Sequence, residues 1–267
     1  MTRPSQAPPP PIFLHMRQVD VARGDAIVLH DIDLTIRTGE HVAILGPNGC
    51  GKSTLIKTIH CECYPMVKPG AAMQILGRER WDLSQLRQHL GVVETNLPGE
   101  RTSITRGIDA VVAGFFSAST LWPNLTVTPA MRDRAHIALA RMQATHLEQK
   151  FVGQMSAGEQ RRIMIARALV HEPEVLLLDE PSNALDIAAQ HELREALRHV
   201  AREGTGILMV THHLADILPE IDRVIMMQDG RIVADGSKAE LIRADKLKAL
   251  FGIEVTLTER NGYWHSW

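Results

Sequence analysis

The sequence predicts an α/β fold: a mostly parallel central sheet, an antiparallel β region at the N-terminal side, and an α-helical lobe inserted part-way along the chain. Three observations lead there. A short apolar run, His41-Val-Ala-Ile-Leu45, enters a glycine-rich loop closed by Lys52-Ser53, and helical spacing follows. Strand-like and helical runs then alternate, a pattern that calls for parallel strands joined by crossover helices and covered on both faces. From about 95 to 158 the helical pattern runs without a strand, so this stretch is a lobe set into the core.

In order, residues 1–11 are polar and Pro-rich and predict a disordered leader. Residues 12–252 form the α/β domain and 253–267 a tail without a readable pattern. Ile12 to Val21 is strand-like, and Ala26 to Leu29 and Ile32 to Ile36 continue the β region after a Gly24-Asp25 turn. Helix is expected from Thr54 to His60, strand from Ala72 to Leu76, a short helix from Trp81 to Gln88 and a buried strand from Leu90 to Val93. In the lobe, Thr105 to Phe116 and Pro129 to His146 are helical, the second with Met131, Ala135, Ile137, Ala140, Arg141 and Ala144 along its inner face. Helices at Glu159–Val170 and Ile187–Arg202 then alternate with strands at Glu174–Leu178 and Gly206–Val210. Val224–Met227 and Arg231–Ala234 close the domain as a hairpin around Asp229-Gly230.

At 267 residues the chain can bury a sizeable core. Lys and Arg number 29 against 31 Asp and Glu, a net charge of -2, so nucleic acid is not an expected partner. Cys50, Cys61 and Cys63 are too few and too closely spaced for a disulfide framework, which fits a reducing compartment. Cys61-Glu-Cys63 has no second Cys or His pair nearby to complete a metal site and is better taken as a helix end. Cys50, inside the glycine-rich loop, is either a reactive thiol or a small space-filling residue. No run approaches the roughly 18 apolar residues of a membrane span, and the leader lacks an apolar signal core. The expected location is cytoplasmic.

Gly46-Pro47-Asn48-Gly49-Cys50-Gly51-Lys52-Ser53-Thr54 fits G-x-x-x-x-G-K-[ST]. Glycines let successive N–H groups converge on one anion, and the helix that follows adds the positive end of its dipole. In such a cradle Lys52 reaches the β- and γ-phosphates and the Ser53 hydroxyl ligates Mg²⁺. Val175-Leu-Leu-Leu-Asp-Glu-Pro181 is an apolar strand ending in two carboxylates, at the end of the sheet where α/β folds bind ligands. Asp179 can hold Mg²⁺, and Glu180 points on toward an attacking water. Met155-Ser-Ala-Gly-Glu-Gln160 leads directly into a helix, where Ser156 and Gly158 form either a second anion site or an ordinary N-cap.

With these motifs in this order, the chain resembles the nucleotide-binding subunit of an ABC transporter, a P-loop NTPase, from about Ile12 to Phe251. Met155 to Gln160 is similar to the family's LSGGQ signature, with Ala157 and Glu159 as departures. Ser182-Asn-Ala-Leu-Asp186 resembles the D-loop, and Thr211-His212 the switch histidine. The resemblance implies ATP and Mg²⁺ as ligands and a head-to-tail dimer of two copies. Each ATP then lies between one copy's phosphate loop and the other's Ser156, Gly158, Glu159 and Asp186. It implies Glu180 as general base or water orienter and His212 on the γ-phosphate. It also implies integral membrane permease subunits as partners on the cytoplasmic face of the membrane, with a solute-binding protein as a further candidate, and solute import as the expected direction.

Two positions depart from the family. Arg23 stands where an aromatic usually stacks on adenine, and either stacks its guanidinium on the base or is a solvated loop charge. Glu94-Thr95 replaces a Gln that touches Mg²⁺, with Thr95 aligning best. The segments around Tyr64-Pro65, Gly77 to Trp81 and Thr102 to Pro123 look similar to molybdate or iron-complex import ATPases. The rival expectation is a soluble ABC-type ATPase acting on nucleic acid or the ribosome without a permease.

Overall fold

The computed structural model describes residues 9–93 and 100–267. Most of the expected leader, and the Glu94-Thr95 pair, lie outside these residues. The chain opens with the hairpin β1 (Ile12–Arg23) and β2 (Ala26–Arg37), turned by Gly24-Asp25 with Gly24 at φ 60°. A glycine at the first position of a two-residue loop lets the turn match the twist of its strands. The two apolar runs of β2 are one continuous strand. Next come β3 (His41–Leu45), α1 (Lys52–Ile59) and β4 (Ala72–Ile75), and β4 returns to β1 to make an antiparallel sheet in the order β2-β1-β4.

Cys61 ends α1 in the left-handed region at φ 64°, while the N–H groups of Cys61 and Glu62 close onto the carbonyls of Thr58 and Lys57. This is a Schellman stop without its usual glycine. After α2 (Leu83–His89) and β5 (Leu90–Val93), the lobe holds α3 (Glu100–Ser103), α4 (Gly107–Val112), and α5 (Pro129–Arg141). The start of α5 is set by Thr128, whose hydroxyl accepts the Met131 N–H, and by Pro129 in the first turn.

The core then alternates α6 (Ala157–Leu169), β6 (Val175–Asp179), α7 (Ile187–Arg202), β7 (Gly206–Thr211), β8 (Arg223–Gln228) and β9 (Arg231–Ser237). It is followed by α8 (Lys238–Leu241), α9 (Ala244–Phe251), β10 (Leu257–Arg260) and β11 (Tyr263–Ser266). The main sheet runs β5-β6-β7-β3-β8-β9, parallel except for β9. Its parallel strands are largely apolar because both their faces are buried, whereas β9, at the edge, alternates between exposed and half-buried residues. Ala43, Leu45, Leu176, Leu178, Ile207 and Met209 belong to the core shared with α6, α7 and the helical lobe, while Val42, Ile44, Val175, Leu177, Leu208 and Val210 face the antiparallel sheet and α1. That alternation is the two-residue period of a strand used on both sides.

Two expectations are corrected. The inner face of α5 is Ala135, Ala138 and Leu139, continued by Met142, whereas Ile137 is 55% exposed and Ala140 is also exposed. The helix stops at Arg141 rather than His146, and Gln143 at φ 51° turns the chain. The tail, without a pattern in the sequence reading, is a hairpin. Asn261-Gly262 turns it with both residues at positive φ, 55° and 81°, and Tyr263 and Trp264 pack on the core. An Asn-Gly pair is the strongest short-range hairpin signal.

The corrected face predicts that Leu139→Ala lowers unfolding free energy by about 2–5 kcal/mol. The same truncation at Ile137 costs no more than about 0.5 kcal/mol. Urea denaturation midpoints of the two variants check the contrast; equal losses would restore the original face.

Candidate functional site

Strand register brings the candidate residues together. Leu45 of β3 pairs with Thr211 of β7, and Val210 of β7 pairs with Asp179 of β6. One step beyond these pairs the chain leaves the sheet at Gly46, Glu180 and His212. Three distant stretches of sequence therefore arrive at one edge of the sheet, at the carboxyl ends of its parallel strands.

The phosphate loop is held tightly. A side-chain carbon on Gly46 would lie 2.3 Å from the Met227 carbonyl oxygen, and one on Gly51, at φ 102°, would lie 2.8 Å from Leu29 Cδ2. Only glycine fits either place. Lys52 is buried, and its ammonium donates to the carbonyls of Gly46 (2.7 Å) and Pro47 (2.9 Å). From the β8–β9 turn, the Gly230 N–H donates to the Cys50 carbonyl (3.0 Å) and anchors the loop's far side. Beside it opens a cleft of about 440 Å³. Its floor is Asn48, Gly49, Gly51 and the first turn of α1, including the exposed Ser53; Arg23 and Val28 contribute from the hairpin, and Glu180 also lines it. The structure thus places Arg23 on the same cleft as the phosphate loop.

Glu180 sits at φ 46°, a left-handed conformation that costs energy for a residue with a side chain. It is held there by its N–H donating to the Val210 carbonyl and its own carbonyl accepting from the Asn183 N–H. The Glu180 carboxylate lies 2.9 Å from His212 Nδ1. A carboxylate only accepts, so Nδ1 carries the proton and Nε2 is left for another partner. The His213 ring lies over that of His212, centroids 3.8 Å apart. Asp179 ends β6 in a buried position. On α6, Arg161 is buried too: burial pushes its pKa down and the nearby Asp179 charge opposes that shift.

A second assembly lies at the start of α6. Ser156 caps the helix by accepting the Glu159 N–H, and the Glu159 carboxylate accepts the Ser156 N–H (2.7 Å) and the Lys150 ammonium (2.8 Å). Lys150 and these hydrogen bonds outweigh burial and pull the Glu159 pKa down. Its carboxylate is thus committed to the cap. A Cβ on Gly158 would lie 2.6 Å from Ala189 Cβ, so the start of α6 is pressed on the first turn of α7, which Asp186 caps through the Ala189 N–H (2.8 Å). Ser156, Gly158, Glu159 and Asp186 form this group; none of them lines the cleft.

Sequence reasoning missed Val28 and Arg161. Val28 offers no signal, being one apolar residue in an alternating strand. Arg161 did offer one: it stands three residues after Gly158 and four before Ile165, on the buried stripe of α6.

Cys50 is 5% exposed, and burial pushes its thiol up, which resolves it as a space-filling residue. Cys50 should therefore react with maleimide at pH 7 at least about tenfold more slowly than the half-buried Cys63. Mass spectrometry of labelled peptides measures both rates, and faster labelling at Cys50 would contradict the burial argument.

Comparison with known proteins shows the family of the chain. The family model described as ABC transporter matches residues 29–183. The chain is 32% identical over 238 residues to the hemin import ATP-binding protein HmuV of Aliivibrio fischeri, covering 86% of each chain. It is 35% identical over 225 residues to the L-cystine transport system ATP-binding protein TcyN of Escherichia coli, covering 80% of this chain and 86% of that one. Among solved structures it is similar to cbiO1 from Clostridium perfringens, part of the ABC transporter complex cbiONQ, with a TM-score of 0.75, 28% identity and coverage of 90% and 94%. It is also similar to the ATP-binding cassette MJ0796, a dimer in a post-hydrolysis state bound to ADP and Pi, with a TM-score of 0.68, 25% identity and coverage of 84% and 98%.

Proposed function

The chain belongs to the ABC transporter family as an ATP-binding, ATP-hydrolysing subunit, and we propose that it energises solute import while docked on separate membrane permease subunits at the cytoplasmic face. The observation that carries this reading is the meeting of the phosphate loop, Glu180 and His212 at one sheet edge. Among the described residues no helix is long and apolar enough to cross a membrane.

ATP is the substrate. Its β- and γ-phosphates are bound by the N–H groups of the loop and by Lys52, whose ammonium already sits inside that loop. Arg23 and Val28 are left for the nucleoside. The donors present suit Mg²⁺, which takes oxygen ligands from one or two side chains and from phosphates: the Ser53 hydroxyl opens onto the cleft, and Asp179 is a carboxylate at the end of β6. Bound there, Mg²⁺ supplies neutralisation of phosphate charge. Glu180 orients or deprotonates the attacking water. His212, its Nδ1–H donating a hydrogen bond to the Glu180 carboxylate, presents Nε2 to the γ-phosphate side.

Ser156 and Gly158 complete the site of a second copy, because their assembly stands apart from this chain's own cleft. Two copies arranged head to tail bury two ATP molecules, and closure and reopening drive the permease. A solute-binding protein delivers cargo to that permease from the opposite side.

Glu180→Gln should lower ATP turnover at least about 100-fold while keeping ATP binding and accumulating the closed dimer on gel filtration; turnover at the wild-type rate would remove Glu180 from the mechanism. Lys52→Ala should lose nucleotide affinity in a fluorescent-ATP titration, and unchanged binding would remove the cradle. Detergent pull-down of tagged Glu180→Gln with ATP should recover a polytopic membrane protein. Recovery of ribosomes or nucleic acid would instead establish the soluble rival.

A further inference from the structure

Asp216 is an acid in the core that the proposed mechanism does not use. It is 3% exposed and lies in the turn after β7. Its Oδ2 accepts the Ser182 hydroxyl at 2.6 Å and the Thr211 hydroxyl at 2.9 Å, and its Oδ1 is 3.9 Å from the Arg194 guanidinium of α7. Thr211 in turn accepts the His213 N–H at 3.0 Å. Each partner has a telling place. Ser182 is two residues beyond Glu180, and Thr211 and His213 flank His212 on both sides.

We infer that Asp216 is a positioning residue: one carboxylate oxygen holds the turn that carries Glu180 and the turn that carries His212, and so sets the 2.9 Å contact between them. Besides the Glu180–His212 contact itself, the Glu180 N–H donates to the Val210 carbonyl, which fixes the backbone of the first turn and leaves its side chain to be aimed. Glu180 is in a left-handed conformation that its own preferences oppose, so a fixed neighbour is needed to keep its carboxylate aimed. Hydrogen bonds to a buried carboxylate are short and strong, and the loss of one leaves a buried group unsatisfied. Asp216 therefore couples the segment Ser182–Asp186 to the Glu180–His212 pair. In the dimer proposed above, movement of that segment on ATP closure reaches the histidine through this carboxylate. The inference rests on the assignment of Glu180 and His212 to hydrolysis.

The test is steady-state ATP hydrolysis by the purified full chain, with thermal melting as the folding control. Asp216→Ala should lower kcat at least about tenfold and leave KM for ATP within about twofold, since neither Ser182, Thr211 nor Arg194 lines the cleft. Asp216→Asn keeps an oxygen that accepts both hydroxyls and should restore most of the rate. In a His212→Ala background, Asp216→Ala should add less than about a twofold further loss, because its route to the reaction is already cut.

A kcat at the wild-type value, a KM that rises in step with the fall in kcat, or losses that multiply in the double variant would each overturn the inference. Where Asp216→Ala does not fold, Ser182→Ala and Thr211→Val each remove one arm. Both should lower kcat without moving KM, and wild-type kcat in both overturns it. Glu180→Gln separates the two levels. If that variant loses turnover while Asp216→Ala keeps it, this inference alone fails; if Glu180→Gln turns over normally, the catalytic assignment fails and takes the inference with it.

Discussion

Leu45 opposite Thr211 and Asp179 opposite Val210 are the two register pairs on which the rest of the structure depends. Both faces of the sheet are buried, so a one-residue slip would drive every apolar side chain of a strand to the wrong face. Here each face meets a different neighbour, the helical layer that includes α6 and α7 on one side and the antiparallel sheet on the other. The register is thus specified by two cores at once. It also fixes the level at which Gly46, Glu180 and His212 leave the sheet, so apolar packing aligns polar residues it never touches.

A sheet covered in this way has room for chemistry only at its ends, and there the polar groups depend on one another. Lys52, nearly buried, is satisfied by the loop's own carbonyls. That hold orders the loop internally, and the Gly230 N–H to Cys50 carbonyl bond orders it externally. Tightness around Gly46 and Gly51 leaves the loop few alternative conformations. A cradle arranged in advance loses less conformational entropy when an anion enters it.

How legible each part was in the sequence follows from how local its cause is. The phosphate loop was readable because its residues are adjacent and each is demanded by backbone geometry. Asp179 and Glu180 were readable because an apolar strand that ends in acids has few other uses. The face of α5 was misread because alanine gives no direction and Ile137, an apolar residue, is on the surface; the lobe's packing, not hydrophobicity alone, chooses Leu139. The tail hairpin had a local signal in Asn261-Gly262, while its packing through Tyr263 and Trp264 depends on contacts no local pattern encodes. Asp216 was invisible for the same reason: its partners lie 34, 22 and 5 positions away along the chain.

Those separations show how the two ends of the molecule are connected. The Tyr263 ring of the tail lies under the guanidinium of Arg194 at 5.6 Å and of Arg198 at 5.8 Å, and its hydroxyl meets Glu195 at 3.3 Å. Arg198 is further held by Glu220, in the segment that leads into β8. The tail hairpin therefore steadies the same face of α7 from which Arg194 reaches Asp216. A cation placed between an aromatic ring and a buried carboxylate is attracted by both. The last residues of the chain thus bear, through one arginine, on the turns that present Glu180 and His212, although nothing in the tail itself approaches the cleft.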